Sequence, residues 1–205
     1  MEDVLDVYER PYEPAFPVVC FDETSKQLVD HTRTPLPAGA GQPRRVDDEY
    51  RRCGTANIFV AIEPLRGNLI CKATEHRTSV DCARFLKQLV DERYPDATRV
   101  VLVMDNLSTH TPACFYEAFD PEEARRLTRK IEIHYTPKHG SWLNIAEMQI
   151  SVMARQCLDQ RISSLAALRG KLSAWQANRR PTIVSWHFTA EDARVKLRRL
   201  YPSCQ

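Results

Sequence analysis

The feature that most constrains the fold is a pair of apolar runs that each end at an aspartate. Pro17–Phe21 precedes Asp22, and Arg99–Met104 precedes Asp105. Continuous apolar runs of this length are typical of strands buried on both faces of a sheet. Ligands of open α/β sheets bind beyond the carboxyl ends of the strands. If the two strands are neighbours, their carboxylates lie about 4.8 Å apart, and they repel each other unless a cation or proton separates them.

The remaining periodicity predicts an α/β fold. Further strands are expected over residues 57–63, 69–73 and 130–135, and helices over residues 2–10, 79–93, 141–158, 163–178 and 189–200. This order indicates a ribonuclease-H-like mixed sheet with helices on both faces, although periodicity alone does not separate it from other mixed α/β folds. Prolines 11, 14 and 17 predict a linker. We therefore expect an N-terminal helix and linker (1–16), a central α/β domain (17–160) and a helical extension packed on it (161–205).

Composition excludes several classes of protein. The 205 residues are 43% hydrophobic and 27% charged, as in globular proteins. No apolar run is long enough to span a membrane, and the acidic N-terminus is unlike a secretory signal. The seven cysteines include no C-x-x-C pair, which favours reduced thiols and a cytoplasmic protein.

Basic residues cluster in an irregular stretch, residues 33–52, that contains Arg44, Arg45, Arg51 and Arg52. Such clusters suit DNA phosphates, but solvated loop faces have the same composition. A long irregular stretch inside a compact domain is usually functional or disordered.

A third acidic residue, Glu147, lies on a helix that we expect Ser141 to cap. Helical spacing places Asn144 and Glu147 on one face, beside an apolar stripe formed by Leu143, Ala146, Ile150 and Met153. An ordinary helix salt bridge is the alternative role for Glu147, as a turn or cap is for each aspartate.

The segments VVCFDETSKQL, VLVMDNLSTH and IHYTPKHGSWLNIAE resemble the three signature blocks of mariner-like DDE transposases, in the bacterial insertion-sequence branch. The resemblance covers about residues 17 to 155 and implies a ribonuclease-H-like catalytic domain. It identifies Asp22, Asp105 and Glu147 as the catalytic carboxylates, which would hold two Mg²⁺ ions, or Mn²⁺ as a substitute. It also implies a homodimer that brings two transposon ends together, in the nucleoid of a bacterial cytoplasm.

The sequence therefore predicts a transposase domain that cleaves DNA at transposon ends and joins it to target DNA. Asn106 and His110 would support the metal ligands, although a structural loop histidine is an alternative for His110. Contacts to DNA are expected from Lys138, His139, Asn144 and the arginines of residues 33–52.

Two other functions stay open. One is a nuclease of the same fold that does not transfer strands. The other is an inactive or truncated remnant that binds DNA or dimerises as a regulator. Relatives usually carry an N-terminal helix-turn-helix region, and we expect a separately encoded region to supply it here.

Overall fold

A computed structural model describes residues 1–138 and 140–201. Five strands form one sheet in the order β3-β2-β1-β4-β5. The strands are β1 (Val18–His31), β2 (Tyr50–Glu63), β3 (Asn68–Thr74), β4 (Val100–Met104) and β5 (Ile131–Tyr135). β1, β2 and β3 pair antiparallel, whereas β4 and β5 run parallel to β1. The predicted mixed sheet is confirmed.

The helices lie before, between and after these strands. They are α1 (Glu2–Glu9), α2 (Ser79–Gln88), α3 (Ala113–Ala118), α4 (Pro121–Lys130), α5 (Ile145–Met153), α6 (Leu165–Asn178) and α7 (Ala190–Lys196). α2 and α5 continue into π-helical turns, Leu89–Arg93 and Ala154–Leu158, and two 3₁₀ turns span Ser141–Leu143 and Arg198–Leu200. The Asp120 side chain caps α4 as its position before Pro121 predicts.

Helices cover both faces of the sheet, as predicted. Successive side chains of β1 point to opposite faces of the sheet. Val19 and Phe21 pack on one face against α2, α3 and α4. Val18 and Cys20 pack on the second face against α1, α5 and α7. Burial of a side chain as large as Phe21 contributes about 1.5–3 kcal/mol to stability. On the second face, α6 packs against β3.

The helix that carries Glu147 begins later than predicted. Ser141 opens a 3₁₀ turn, and the N-cap of α5 is Asn144, whose side-chain oxygen accepts the Ala146 N–H at 3.1 Å. Ile150 is only partly buried, and Gln149 lies in the core instead. The helix begins later because Asn144, three residues after Ser141, is an equally good capping residue and takes the N-cap position.

The irregular stretch between β1 and β2 is an extension of their hairpin. We call residues 32–49 the arm. Isolated bridges pair Leu36 with Arg45 and Gly39 with Gln42, so the arm folds back on itself as a narrow ribbon. Arg51 and Arg52, expected in the loop, belong to β2. The sequence at the strand ends is polar and rich in proline and glycine, so it lacks the alternation of apolar and polar residues that predicts a strand.

The six cysteines in the described ranges are free thiols. Within those ranges, none of the helices combines the length and apolar character needed to traverse a lipid bilayer.

Candidate functional site

Strand register brings Asp22 and Asp105 to the same level. β1 and β4 are neighbours, with Val19 opposite Leu102 and Cys20 opposite Val103. Continuing this register by two positions sets Asp22 opposite Asp105, which directly follows β4. Adjacent strands lie about 4.8 Å apart, so the two residues are close together at the carboxyl end of β4, as the sequence predicted. The expectation that Asp22 also ends its strand is wrong, because β1 continues to His31 and pairs Asp22 with Val60 of β2.

Asn144 attaches the start of α5 to this part of the sheet. Its Nδ2 donates to the Phe21 carbonyl at 2.8 Å and lies 3.3 Å from Asp22 Oδ2. The Tyr8 hydroxyl of α1 donates to the Leu143 carbonyl at 2.6 Å and holds the preceding turn. Glu147 lies in the first turn of α5, so it enters the same region as Asp22.

The electrostatics of Asp22 report this convergence of acidic groups. Burial raises the pKa of Asp22 from its ordinary value of 3.8 to about 7, and the negative charges of Asp105, Glu23 and Glu147 add to the rise. A buried carboxylate among like charges favours a proton or a cation beside it. The site can therefore attract a positively charged ligand.

His110 joins Asp105 to a fourth acidic residue, Glu23, which was not predicted as a site residue. Its Nδ1 lies 2.5 Å from Asp105 Oδ1, and its Nε2 lies 2.7 Å from Glu23 Oε2. Both His110 and Glu23 are buried, and Arg77 adds a second cation 3.6 Å from Glu23. Glu23 follows Asp22 on β1, and strand alternation turns it toward the opposite face. Glu23 and His110 are 87 positions apart, so no local sequence pattern predicts their contact.

The charge on His110 is set by its two acidic partners. Burial acts to lower the pKa of His110, but the hydrogen bonds to Asp105 and Glu23 outweigh it and raise this pKa to about 10. The hydrogen bond from His110 in turn lowers the pKa of Asp105. The two partners thus favour the protonated form of the imidazole, and the hydrogen bond joins His110 to a predicted metal ligand.

Carboxylate oxygens are the donors that Mg²⁺ and Mn²⁺ prefer, so the chemistry of Asp22, Asp105 and Glu147 fits the expected ions. Across the described ranges, however, no group of three or more acidic, histidine or cysteine side chains forms a ready-made metal site. One oxygen of Asp105 is turned toward His110, and those of Asp22 face the Glu23 N–H and Asn144. Binding an ion would require these side chains to rotate.

Comparison with known proteins places this arrangement in a family. The family model described as DDE superfamily endonuclease matches residues 17–169. The chain belongs to this DDE endonuclease family. No curated protein matches the sequence.

Solved structures of the Mos1 mariner transposase share the fold of this DDE domain. The paired-end complex with Mg has a TM-score of 0.63 at 18% identity, over 98% of this chain and 60% of that one. The strand transfer complex has a TM-score of 0.56 at 18% identity, over 88% and 52%. The paired-end complex with Mn has a TM-score of 0.55 at 19% identity, over 87% and 53%. The chain thus spans between half and three fifths of these proteins, and the predicted ribonuclease-H-like fold is confirmed.

The arginines and the lysine predicted to contact DNA lie at exposed positions of the DDE domain. Arg44, Arg45, Arg51 and Arg52 are exposed on the arm and at its base, and Lys138 is exposed in the connection between β5 and α5. His139 falls outside the described residues. Asn144, also predicted to contact DNA, is buried and lies 3.3 Å from Asp22 Oδ2, so its contact with DNA stays a prediction. Asn106 is exposed.

Arg161 fixes the base of the arm to the rest of the domain. Its guanidinium donates to the carbonyl groups of Asp47, Asp48 and Glu49 at 2.6 to 3.2 Å and lies 3.1 Å from His31 Nδ1. The backbone N–H of Val29, at a β-bulge, donates to the Ile162 carbonyl at 2.8 Å. Bulges redirect a strand, so the connection after α5 sets the direction in which the arm projects.

Proposed function

We propose that this DDE domain is the catalytic part of a DNA transposase, which cleaves DNA at transposon ends and joins the freed 3′ end to target DNA. The observation that carries the proposal is the convergence of Asp22, Asp105 and the first turn of α5 at one edge of the sheet. The acidic residues follow the order aspartate, aspartate, glutamate within the matched family region. The Mos1 complexes with Mg, with Mn and after strand transfer support both the cofactor and the reaction.

In this proposal the three carboxylates hold a pair of Mg²⁺ ions, or Mn²⁺ in their place. Metal ions bound there would supply an activated water or 3′-hydroxyl nucleophile and would stabilise the leaving oxygen. Asn144 offers a hydrogen bond to Asp22, and His110 offers one to Asp105. Hydrogen-bonding partners of metal ligands help to orient them once an ion is bound.

The arm and its basic residues would contact DNA or another protomer. Leu36 and Val46 are exposed on the arm beside Arg44 and Arg45. An exposed ribbon that carries apolar and cationic side chains together suits a contact with a second protomer, with DNA, or with both. We propose a homodimer that brings two transposon ends together.

The test is strand transfer from a pre-cut transposon end, with Mg²⁺ and with EDTA. We expect joined product only with the metal, and no product from Asp105→Asn or Glu147→Gln. Glu122→Gln removes an exposed acid from α4 and is the matched control, which should keep full activity. Retention of activity by either carboxylate variant would refute the assignment.

The same assay separates the two alternatives. Metal-dependent hydrolysis without joining would identify a nuclease of the same fold. An inactive remnant would bind DNA or dimerise and show neither reaction.

A further inference from the structure

A second site lies at the open edge of the sheet, away from the acidic cluster. A cleft of about 280 Å³ lies between β3, the turn that follows α2, and the chain after α6. The residues that line it include Leu69, Arg93, Gln176 and Arg179. β3 is two strands removed from β1, so the cleft is separate from Asp22.

Two arginines and no acidic residue line the cleft. The buried carboxylate of Glu63 lies behind this lining and accepts hydrogen bonds from Asn68 and Tyr94. Among the described residues, neither Arg93 nor Arg179 has a carboxylate oxygen within salt-bridge distance, whereas Arg126 contacts both Asp91 and Glu123. Arginine side chains at protein surfaces commonly find acidic partners or solvent, and two that face one concave site favour an anion there.

Arg179 is held in place by neutral groups. One guanidinium nitrogen donates to Gln149 Oε1 at 2.5 Å, and the guanidinium carbon lies 5.6 Å from the centre of the Trp175 ring. The Gln149 side chain is itself buried. Burial lowers the pKa of Arg179 slightly, as expected for a cation that is partly removed from water without a counter-ion. A bound anion would supply that missing counter-charge.

The edge of β3 adds a backbone donor. The Gln176 side chain bonds to both the N–H and the carbonyl of Cys71, at 2.8 and 3.2 Å, so the Cys71 backbone faces away from β2. Backbone groups alternate along a strand with a period of two residues. The Leu69 N–H therefore faces the same edge, where it lines the cleft, and no side-chain or loop acceptor for it is present among the described residues.

The wall of the cleft is built by close packing. Gly67 has a φ of +68°, and a Cβ at this position would lie 2.4 Å from the Thr182 backbone nitrogen. The Val184 N–H donates to the Pro64 carbonyl at 2.9 Å. The chain after α6 is thus seated on the β2–β3 turn, which fixes Arg179 relative to β3. Preorganised donors reduce the entropy lost on binding.

We infer that this cleft binds a phosphate group, with Arg93, Arg179 and the Leu69 N–H as its donors. Guanidinium groups match the geometry of phosphate oxygens, and one phosphate offers enough acceptors for both arginines and the amide. A single carboxylate has only two oxygens to share among these donors. The phosphate can belong to a DNA backbone that passes this edge or to a free phosphate ester. The inference does not depend on the proposed transposase activity.

The test measures two ligands on the full chain. Inorganic phosphate is titrated by calorimetry at constant ionic strength, and a short DNA duplex is titrated at several salt concentrations. Arg93→Gln changes an exposed side chain and leaves packing intact, and Arg179→Gln removes the second donor. Arg180→Gln is the matched control, because Arg180 is adjacent and exposed but does not line the cleft.

We expect the wild type to bind phosphate saturably. Each cleft variant should weaken phosphate binding by about tenfold or more, as is typical for the loss of a charge-assisted hydrogen bond. Arg180→Gln should leave the affinity for phosphate unchanged. If DNA is the source, Arg93→Gln also reduces the slope of log affinity against log salt by about 0.9. An unchanged slope with weakened phosphate binding assigns the cleft to a free phosphate ester. Equal phosphate affinity in the wild type and Arg93→Gln would overturn the inference.

Discussion

Replacing Asp22 by asparagine should stabilise the protein at alkaline pH when no divalent cation is present, although Asp22 is proposed to be essential for activity. The ionised carboxylate is destabilised by burial and by the charges of Asp105, Glu23 and Glu147. An asparagine carries no charge and keeps an oxygen to accept the Glu23 N–H, which lies 2.8 Å from Asp22 Oδ1. Its amide group would meet Asn144 Nδ2, so one weak hydrogen bond is lost.

The sign and size of the effect follow from the pKa. The folded state retains a proton on Asp22 between pH 3.8 and about 7 that the unfolded chain releases. The wild type therefore loses stability as pH rises through this window. A pKa raised this far corresponds to about 4 kcal/mol at most. Because part of the side chain is exposed, solvent screening reduces the effect, and we expect about 2 kcal/mol.

The assay is urea unfolding of the wild type and Asp22→Asn in EDTA at pH 4.5 and pH 8. The stability of the variant relative to the wild type should increase by about 2 kcal/mol between the two pH values. Glu122→Gln serves as the surface control and should stay within about 0.5 kcal/mol of the wild type at both. If the difference between Asp22→Asn and the wild type does not change with pH, or changes in the opposite direction, the account of repelling carboxylates is refuted.

Two further predictions concern the scaffold. Gly67→Ala should lower the free energy of unfolding by about 2 kcal/mol or more in a urea titration, because the backbone of Gly67 is left-handed and the new methyl group would clash with Thr182. Gly170→Ala should instead raise the free energy of unfolding by up to about 1 kcal/mol, because Gly170 is helical and has open space around it. Arg161→Met should accelerate protease cleavage within residues 32–49 while the unfolding midpoint changes little, because three carbonyl contacts at the base of the arm are lost. Unchanged cleavage would show that the β-bulge alone orients the arm.

The sequence was sufficient to predict that Asp105 directly follows a buried strand, whereas Asp22, also expected at a strand end, lies inside β1. Apolar runs locate the buried parts of β1 and β4 without any tertiary information, but the polar continuation of β1 beyond Asp22 has no apolar run to mark it. Local helical spacing predicts Glu147 beside the apolar stripe of its helix, whereas its grouping with the two aspartates rested on the resemblance to DDE transposases. The precise start of its helix was not predicted, since Ser141 and Asn144 are both good capping residues and only the contact of Asn144 with the Phe21 carbonyl distinguishes them.

Contacts between distant segments account for what the sequence did not predict. The partnership of His110 with Glu23, the seat of Thr182 on Gly67, and the anchoring of the arm by Arg161 each join residues more than 80 positions apart. No periodic pattern encodes such pairs. The extension of β1 and β2 into the arm was missed for a related reason, because its polar and glycine-rich sequence lacks the alternation that marks a buried strand.

The central claim is that Asp22, Asp105 and Glu147 act together as ligands of divalent cations. Calorimetric titration of Mn²⁺ into the wild type and into Asp22→Asn, Asp105→Asn, Glu147→Gln and the Glu122→Gln control tests it most directly. We predict saturable binding by the wild type and the control, and a loss of at least tenfold in affinity in each of the three carboxylate variants. Wild-type affinity in Glu147→Gln would contradict the claim, because the helix that begins at Asn144 would then contribute no ligand.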